Sequence, residues 1–123
     1  MPRLESDLLQ HLMATANGSL AHEELKMTND FVTTVMAVSE GYPESYQKGF
    51  AISGLEGLES DLIIPFHAGT KLADNQVLTN GGRVIALSGR GKTMQEALTQ
   101  SYKAAKTICY DGIVYRKDIG FDL

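Results

Sequence analysis

Cysteine is nearly missing from this chain. Cys109 is the single one among 123 residues, so no internal disulfide can form, and no CxxC or His/Cys spacing suits zinc. A lone thiol points to a reducing compartment. Long apolar runs are missing as well: no stretch approaches the roughly 20 residues of a membrane-spanning helix, and the opening MPRLESDLLQ lacks the apolar centre of a signal peptide. A cytoplasmic protein without membrane contact is expected. With a net charge of −4, the chain also lacks the basic excess on which nucleic-acid binding relies, and nucleic acid is not an expected partner. There is no internal repeat and no low-complexity linker. No carboxylate pair, nucleophile beside a base, or metal cluster completes a catalytic set. Residue chemistry alone therefore supports a binding module rather than a whole enzyme.

What is present suffices for one domain with an appendage, since a chain of this length buries about two-thirds of its unfolded surface without staples. Charge is spread unevenly. Residues 1–61 hold three basic and ten acidic side chains, while residues 62–123 hold eight and five. The second half is thus the one that tolerates an anion, with Arg83, Arg90, Lys92, Arg116 and Lys117 among its cations.

Hydrophobic periodicity sets out the elements. In RLESDLLQHLMATANG, Leu4, Leu8, Leu9, Leu12 and Met13 share one face of an amphipathic helix. Asn17-Gly18 ends it, because glycine enters the left-handed region without a Cβ clash. SLAHEELKM reads as a short helical or turn segment. DFVTTVMAVS, rich in β-branched residues, reads as a buried strand, with FAISG, DLIIPFHA and RVIALSG as further strands. TKLADNQVLTN forms a hairpin around Asp74-Asn75. KTMQEALTQSYKAAKTI carries the clearest local signal, a capping box of Thr93 and Glu96. Its apolar face runs through Met94, Ala97, Leu98, Ser101, Tyr102, Ala105 and Ile108. YDGIVYRKDIGFDL closes the chain with an Asp-Gly turn and a short apolar pair packed back on the sheet. These elements add up to an α+β domain with a mostly antiparallel sheet and one main packed helix. The N-terminal helix stands outside that scheme.

Three loops carry polar chemistry. PFHAGTK and TNGGR interrupt strand-like stretches with glycines; each alone is explained as turn hardware, and together they raise the alternative of two loops converging where close backbone approach is needed. Arg83 adds a planar fork suited to phosphate or carboxylate. In the third loop, Gly41, Pro43 and Gly49 hold Tyr42, Tyr46 and Lys48. A fourth stretch, ALSGRGKT, imitates a phosphate-binding P-loop, but the first glycine of that motif would fall on Ala86, inside a strand. An anion contact at the N-terminus of the following helix stays open.

Read together, GYPESYQKG, FHAGTKLADNQVLTNGGRVIAL and YRKDIGF resemble the C-terminal domain of the phosphoribosylamine–glycine ligase family, also called glycinamide ribonucleotide synthetase. The likeness runs from about Thr28 to the end, with the family's motifs in order and at similar spacing; Asn75 replaces the usual hairpin glycine. It implies a boundary between residues 1–27, the helical end of an ATP-grasp domain, and residues 28–123, a C-terminal domain akin to a rudimentary hybrid motif. The family's reaction joins glycine to 5-phosphoribosylamine through a glycyl phosphate in purine synthesis. Its ATP and Mg²⁺ (or Mn²⁺) would be bound by the N-terminal and ATP-grasp domains, which are absent from these residues and would be this domain's partners. The chain thus looks like a C-terminal fragment, inactive alone, with no catalytic or metal-binding residue assigned. His67, Gly69, Thr70, Asn80, Gly81, Gly82 and Arg83 would line the phosphoribosylamine side. A structural module that only buttresses the ATP-grasp domain and a free-standing small-ligand binder are the alternatives.

Overall fold

The computed structural model describes residues 1–121; Asp122 and Leu123, at the end of the expected 28–123 domain, lie outside them. Four strands form one antiparallel sheet in the order β2 (Ile63–His67), β5 (Arg83–Gly91), β1 (Phe31–Ser39) and β6 (Ile113–Val114). A separate hairpin pairs β3 (Thr70–Ala73) with β4 (Gln76–Thr79). Asp74 and Asn75 between them take φ of 48° and 59°, the left-handed pair that a tight two-residue hairpin requires.

Helix α2 (Met94–Thr107) covers one face of the sheet. Both halves of its capping box form: Thr93 accepts from the Glu96 N–H, and Glu96 accepts from the Thr93 N–H. Close packing follows from missing side chains. A Cβ built on Gly89 would lie 2.7 Å from Ser101 Oγ, and one on Gly91 would lie 2.7 Å from the Ala97 nitrogen, so the helix rests directly on the strand backbone. Ser101 is fully buried there and fully employed, accepting from the Gly89 N–H at 2.8 Å and donating to the Thr33 carbonyl at 2.9 Å. Val35, Ala37, Ile85 and Leu87 complete the core with Ala104, Ala105 and Ile108. Tyr110 closes one end; its hydroxyl donates to the Val38 carbonyl at 3.0 Å, and burial pushes its pKa up to about 12.

Two expectations need correction. FAISG is no strand: it makes single bridges, Ala51 with Leu78 and Ser53 with Cys109, because Gly54 and Gly57 turn the chain through φ of 80° and 67°. Ile52 still reaches the core. Helix α1 (Leu8–Ala16) forms with Asp7 as its cap and ends at Gly18, φ 71°, yet the leucine face points outward. His11 and Ala14 are its buried residues, while Leu9, Leu12 and Met13 are 64%, 57% and 57% exposed. Leu4 lies outside the helix and bridges to Met27. The reason is tertiary: α1 packs beside the 3-10 turn Leu20–His22 and not on the sheet.

The segment before β1 is fastened elsewhere. Arg3 donates to the Thr28 carbonyl. Asp30, nearly buried, pairs with Arg90 and, at 2.6 Å, with Lys92, while Arg90 also reaches Thr28 Oγ1 at 3.0 Å. The Lys92 and Arg90 hydrogen bonds hold the Asp30 carboxyl below its usual pKa.

Candidate functional site

The candidate site is a rim of the sheet, built where β1 ends, β2 ends and β5 begins. Pairing continues past β2 as Ala68 N–H donates to Val84 O at 3.0 Å and Gly69 N–H to Arg83 O at 2.8 Å. Asn80 N–H then donates to Gly69 O at 2.7 Å. The two glycine turns consequently touch through their backbones. A Cβ on Gly69 would sit 2.6 Å from Gly81 Cα, and one on Gly81 would sit 2.9 Å from Gly69 Cα. Of the two alternatives open in the sequence, separate turns or converging loops, the structure has the second.

A β-bulge aims this corner. Ala37 pairs with Ile85 but Val38 with Arg83, leaving Val84 as the extra residue on β5. Beyond it, Ser39 grips the turn twice, its N–H donating to Gly82 O at 2.8 Å and its hydroxyl to Gly81 O at 3.0 Å. The third loop is tied in at both ends. Tyr42 N–H donates to Ser39 O at 3.1 Å, Gly49 N–H donates to Thr79 O at 2.7 Å, and the Tyr42–Pro43 peptide is cis. Tyr42 lies against Gly82, where an added Cβ would come within 2.6 Å of Tyr42 Cε2. Tyr46 meets Tyr42 edge-on with ring centres 6.1 Å apart, and the Lys48 ammonium stands 5.6 Å from the Tyr46 ring centre.

All seven residues expected at the site fall on this rim. His67 and Thr70 are joined, Nδ1 to Oγ1 at 3.0 Å. Asn80 and Arg83 are exposed, and their side chains have no hydrogen-bond or ion-pair partner among the described residues. Nor do the Gly81 and Gly82 N–H groups have a protein acceptor among them. The rim is an open wall. Concavities lie elsewhere: a groove of about 1040 Å³ between α2 and residues 115–121, and a recess of about 500 Å³ behind the third loop, lined by Glu40, Gln47 and Asp111 among others.

The cation inventory shrinks in three dimensions. Arg90 and Lys92 are spent on Asp30, and Arg116 on Asp118, whose carboxyl it holds below its usual pKa. Glu96 places its own carboxylate at the N-terminus of α2, accepting from the Lys92 N–H at 2.8 Å and from the Thr93 N–H. Ser39 and Tyr42 were not among the seven. The signal for Tyr42 was its glycine-bracketed loop; nothing local marks Ser39, whose partners lie 42 and 43 residues away.

Comparison with known proteins finds the family model "Phosphoribosylglycinamide synthetase, C domain" matching residues 32–122. The phosphoribosylamine–glycine ligase of Halalkalibacterium halodurans is 42% identical over 120 residues, covering 98% of this chain and 27% of that protein. The bifunctional purine biosynthetic protein purD of Dictyostelium discoideum is 42% identical over 122 residues, covering 98% of the chain and 15% of that protein. A crystal structure of phosphoribosylamine–glycine ligase from Thermotoga maritima superposes with a TM-score of 0.69 at 26% identity, over 89% of this chain and 27% of that one. The chain thus spans about a quarter or less of the length of these relatives.

Proposed function

The chain belongs to the phosphoribosylglycinamide synthetase C-domain family, and from that premise we propose that it supplies one wall of the phosphoribosylamine site in a ligase joining glycine to 5-phosphoribosylamine with ATP. One observation carries the reading: two glycine turns in backbone contact leave the Gly81 N–H and the exposed Arg83 guanidinium without protein partners among the described residues, while Gly82 is buried under Tyr42. Phosphoribosylamine is a phosphate monoester. Turn N–H groups and a planar guanidinium match such an anion.

In this reading Arg83 neutralises the phosphate, the Gly81 N–H orients it, and Asn80 with the His67–Thr70 pair meets the sugar hydroxyls. The wall's contribution is positioning, holding the amine in line for the activated glycine. Among the described residues no group of three or more His, Cys, Asp or Glu is arranged to hold a metal ion. We assign ATP and its Mg²⁺ or Mn²⁺ to the N-terminal and ATP-grasp parts of such a ligase. Residues 1–27 would close the ATP-grasp domain and residues 28–123 form the C domain proper, a division supported by the family match starting at residue 32 and by the outward leucines of α1. Those leucines also favour the second reading, in which the chain only buttresses its neighbour. Among the described residues no helix is long and apolar enough to cross a membrane, and a cytoplasmic setting is proposed on the unpaired Cys109.

Arg83→Ala in an intact ligase containing this domain tests the choice. A charged hydrogen bond is worth about 1.5–3 kcal/mol, so the KM for phosphoribosylamine should rise roughly ten- to hundredfold with the KM for ATP unchanged. Unaltered kinetics would leave the buttress.

A further inference from the structure

Tyr42 belongs to none of the groups assigned above to the ligand, yet it bears on the turn that does the binding. We propose that Tyr42 is a positioning residue for the Asn80–Arg83 turn, an inference that rests on reading the rim as the phosphoribosylamine wall.

The direction of the turn's N–H groups is set from behind. In a trans peptide the C=O and the next N–H point opposite ways. Ser39 Oγ holds Gly81 O at 3.0 Å, which sends the Gly82 N–H away from Ser39; the Ser39 N–H holds Gly82 O at 2.8 Å, which orients the Arg83 peptide in the same fashion. Two adjacent glycines would readily turn out of this grip, since they have no side chain to resist rotation. Tyr42 provides the resistance. Its ring fills the space a Gly82 side chain would take, with Cγ only 2.9 Å from an added Cβ. The ring is itself placed by the Tyr42 N–H on Ser39 O at 3.1 Å and by the edge of Tyr46. One residue, Ser39, therefore anchors both the turn and the ring that presses on it. Tyr42 is 39% exposed and its hydroxyl has no partner among the described residues, so the ring and not the hydroxyl is the working part.

The test uses the intact ligase. Tyr42→Ala should raise the KM for phosphoribosylamine roughly tenfold, the scale of a small misplacement in a binding geometry, while the KM values for ATP and glycine stay put. Tyr42→Phe should restore the wild-type KM. Gly82→Ala should raise the same KM in the wild-type background but add little to Tyr42→Ala, because the ring it would displace is already gone. Tyr42→Leu, apolar without the flat ring, gives a second measurement in the same direction should Tyr42→Ala melt too low to assay. Equal rises for all three substrates, or full additivity of the two substitutions, would overturn the proposal. A KM that responds to Arg83→Ala but not to Tyr42→Ala overturns the positioning role alone; silence of both overturns the reading of the rim beneath it.

Discussion

β5 has glycines at both of its ends, and the two sets do different work. Gly89 and Gly91 let a helix settle on the strand, and each polar group they bring near finds a protein partner, as the Gly89 N–H does in Ser101. Gly69, Gly81 and Gly82 let backbone meet backbone and ring, and there the Gly81 N–H and the Arg83 guanidinium have no partner among the described residues. The same residue type, required by the same absence of a Cβ, serves packing at one end and, in the proposed function, presentation at the other. Local spelling does not separate them: SGRGK looks more like a phosphate loop than TNGGR does. What separates them is whether the polar groups beside the glycine are satisfied within the fold.

Substitutions can break or sharpen that contrast. The largest effect is expected from Gly89→Val, whose side chain would enter α2; destabilisation should reach or pass the roughly 1–3 kcal/mol typical of overpacking, read by denaturant unfolding, with no preference among substrates in whatever activity survives. Gly81→Ala forces a Cβ against Gly69 Cα and should cost about 1–2 kcal/mol, but it should also raise the KM for phosphoribosylamine. If its KM is unmoved, the two ends of β5 are alike and the contrast fails. Thr93→Ala removes half of the capping box and should cost about 1 kcal/mol, lowering the melting temperature by a few degrees with every KM unchanged.

The smallest effect at neutral pH comes from the Asp30 clasp. Its carboxyl is held below the usual pKa by Lys92 and Arg90. The clasp therefore stabilises the fold above the unfolded value of about 3.9, and this contribution is lost as pH falls through the lower folded value. Acid melts from pH 5 downward should show a loss of stability that Asp30→Asn flattens; parallel curves for the two proteins would show that the clasp carries no pH-linked stability.

The elements that could be read along the chain are those whose cause is local. Thr93 and Glu96 lie three residues apart, and Asp74-Asn75 make their turn by themselves. PFHAGTK and TNGGR stood out as two glycine-bearing turns, but that they touch depends on strand pairing between residues far apart in the chain. What escaped depends on distant partners: Ser39 acts on Gly81 and Gly82, and Asp30 meets Arg90 and Lys92 about 60 residues later. The leucines of α1 were identified as a face, but periodicity does not say what a face packs against. FAISG had the composition of a strand and lost its pairing to two glycines just beyond it.

The clasp has a mechanical consequence. A nine-residue strand such as β5 is a strut of about 30 Å, gripped at its Arg90 end by residues 3–30 and bearing the glycine rim at its Arg83 end. Paired with β2 on one side and β1 on the other and covered by α2, that strut keeps the clasp and the rim at a fixed separation.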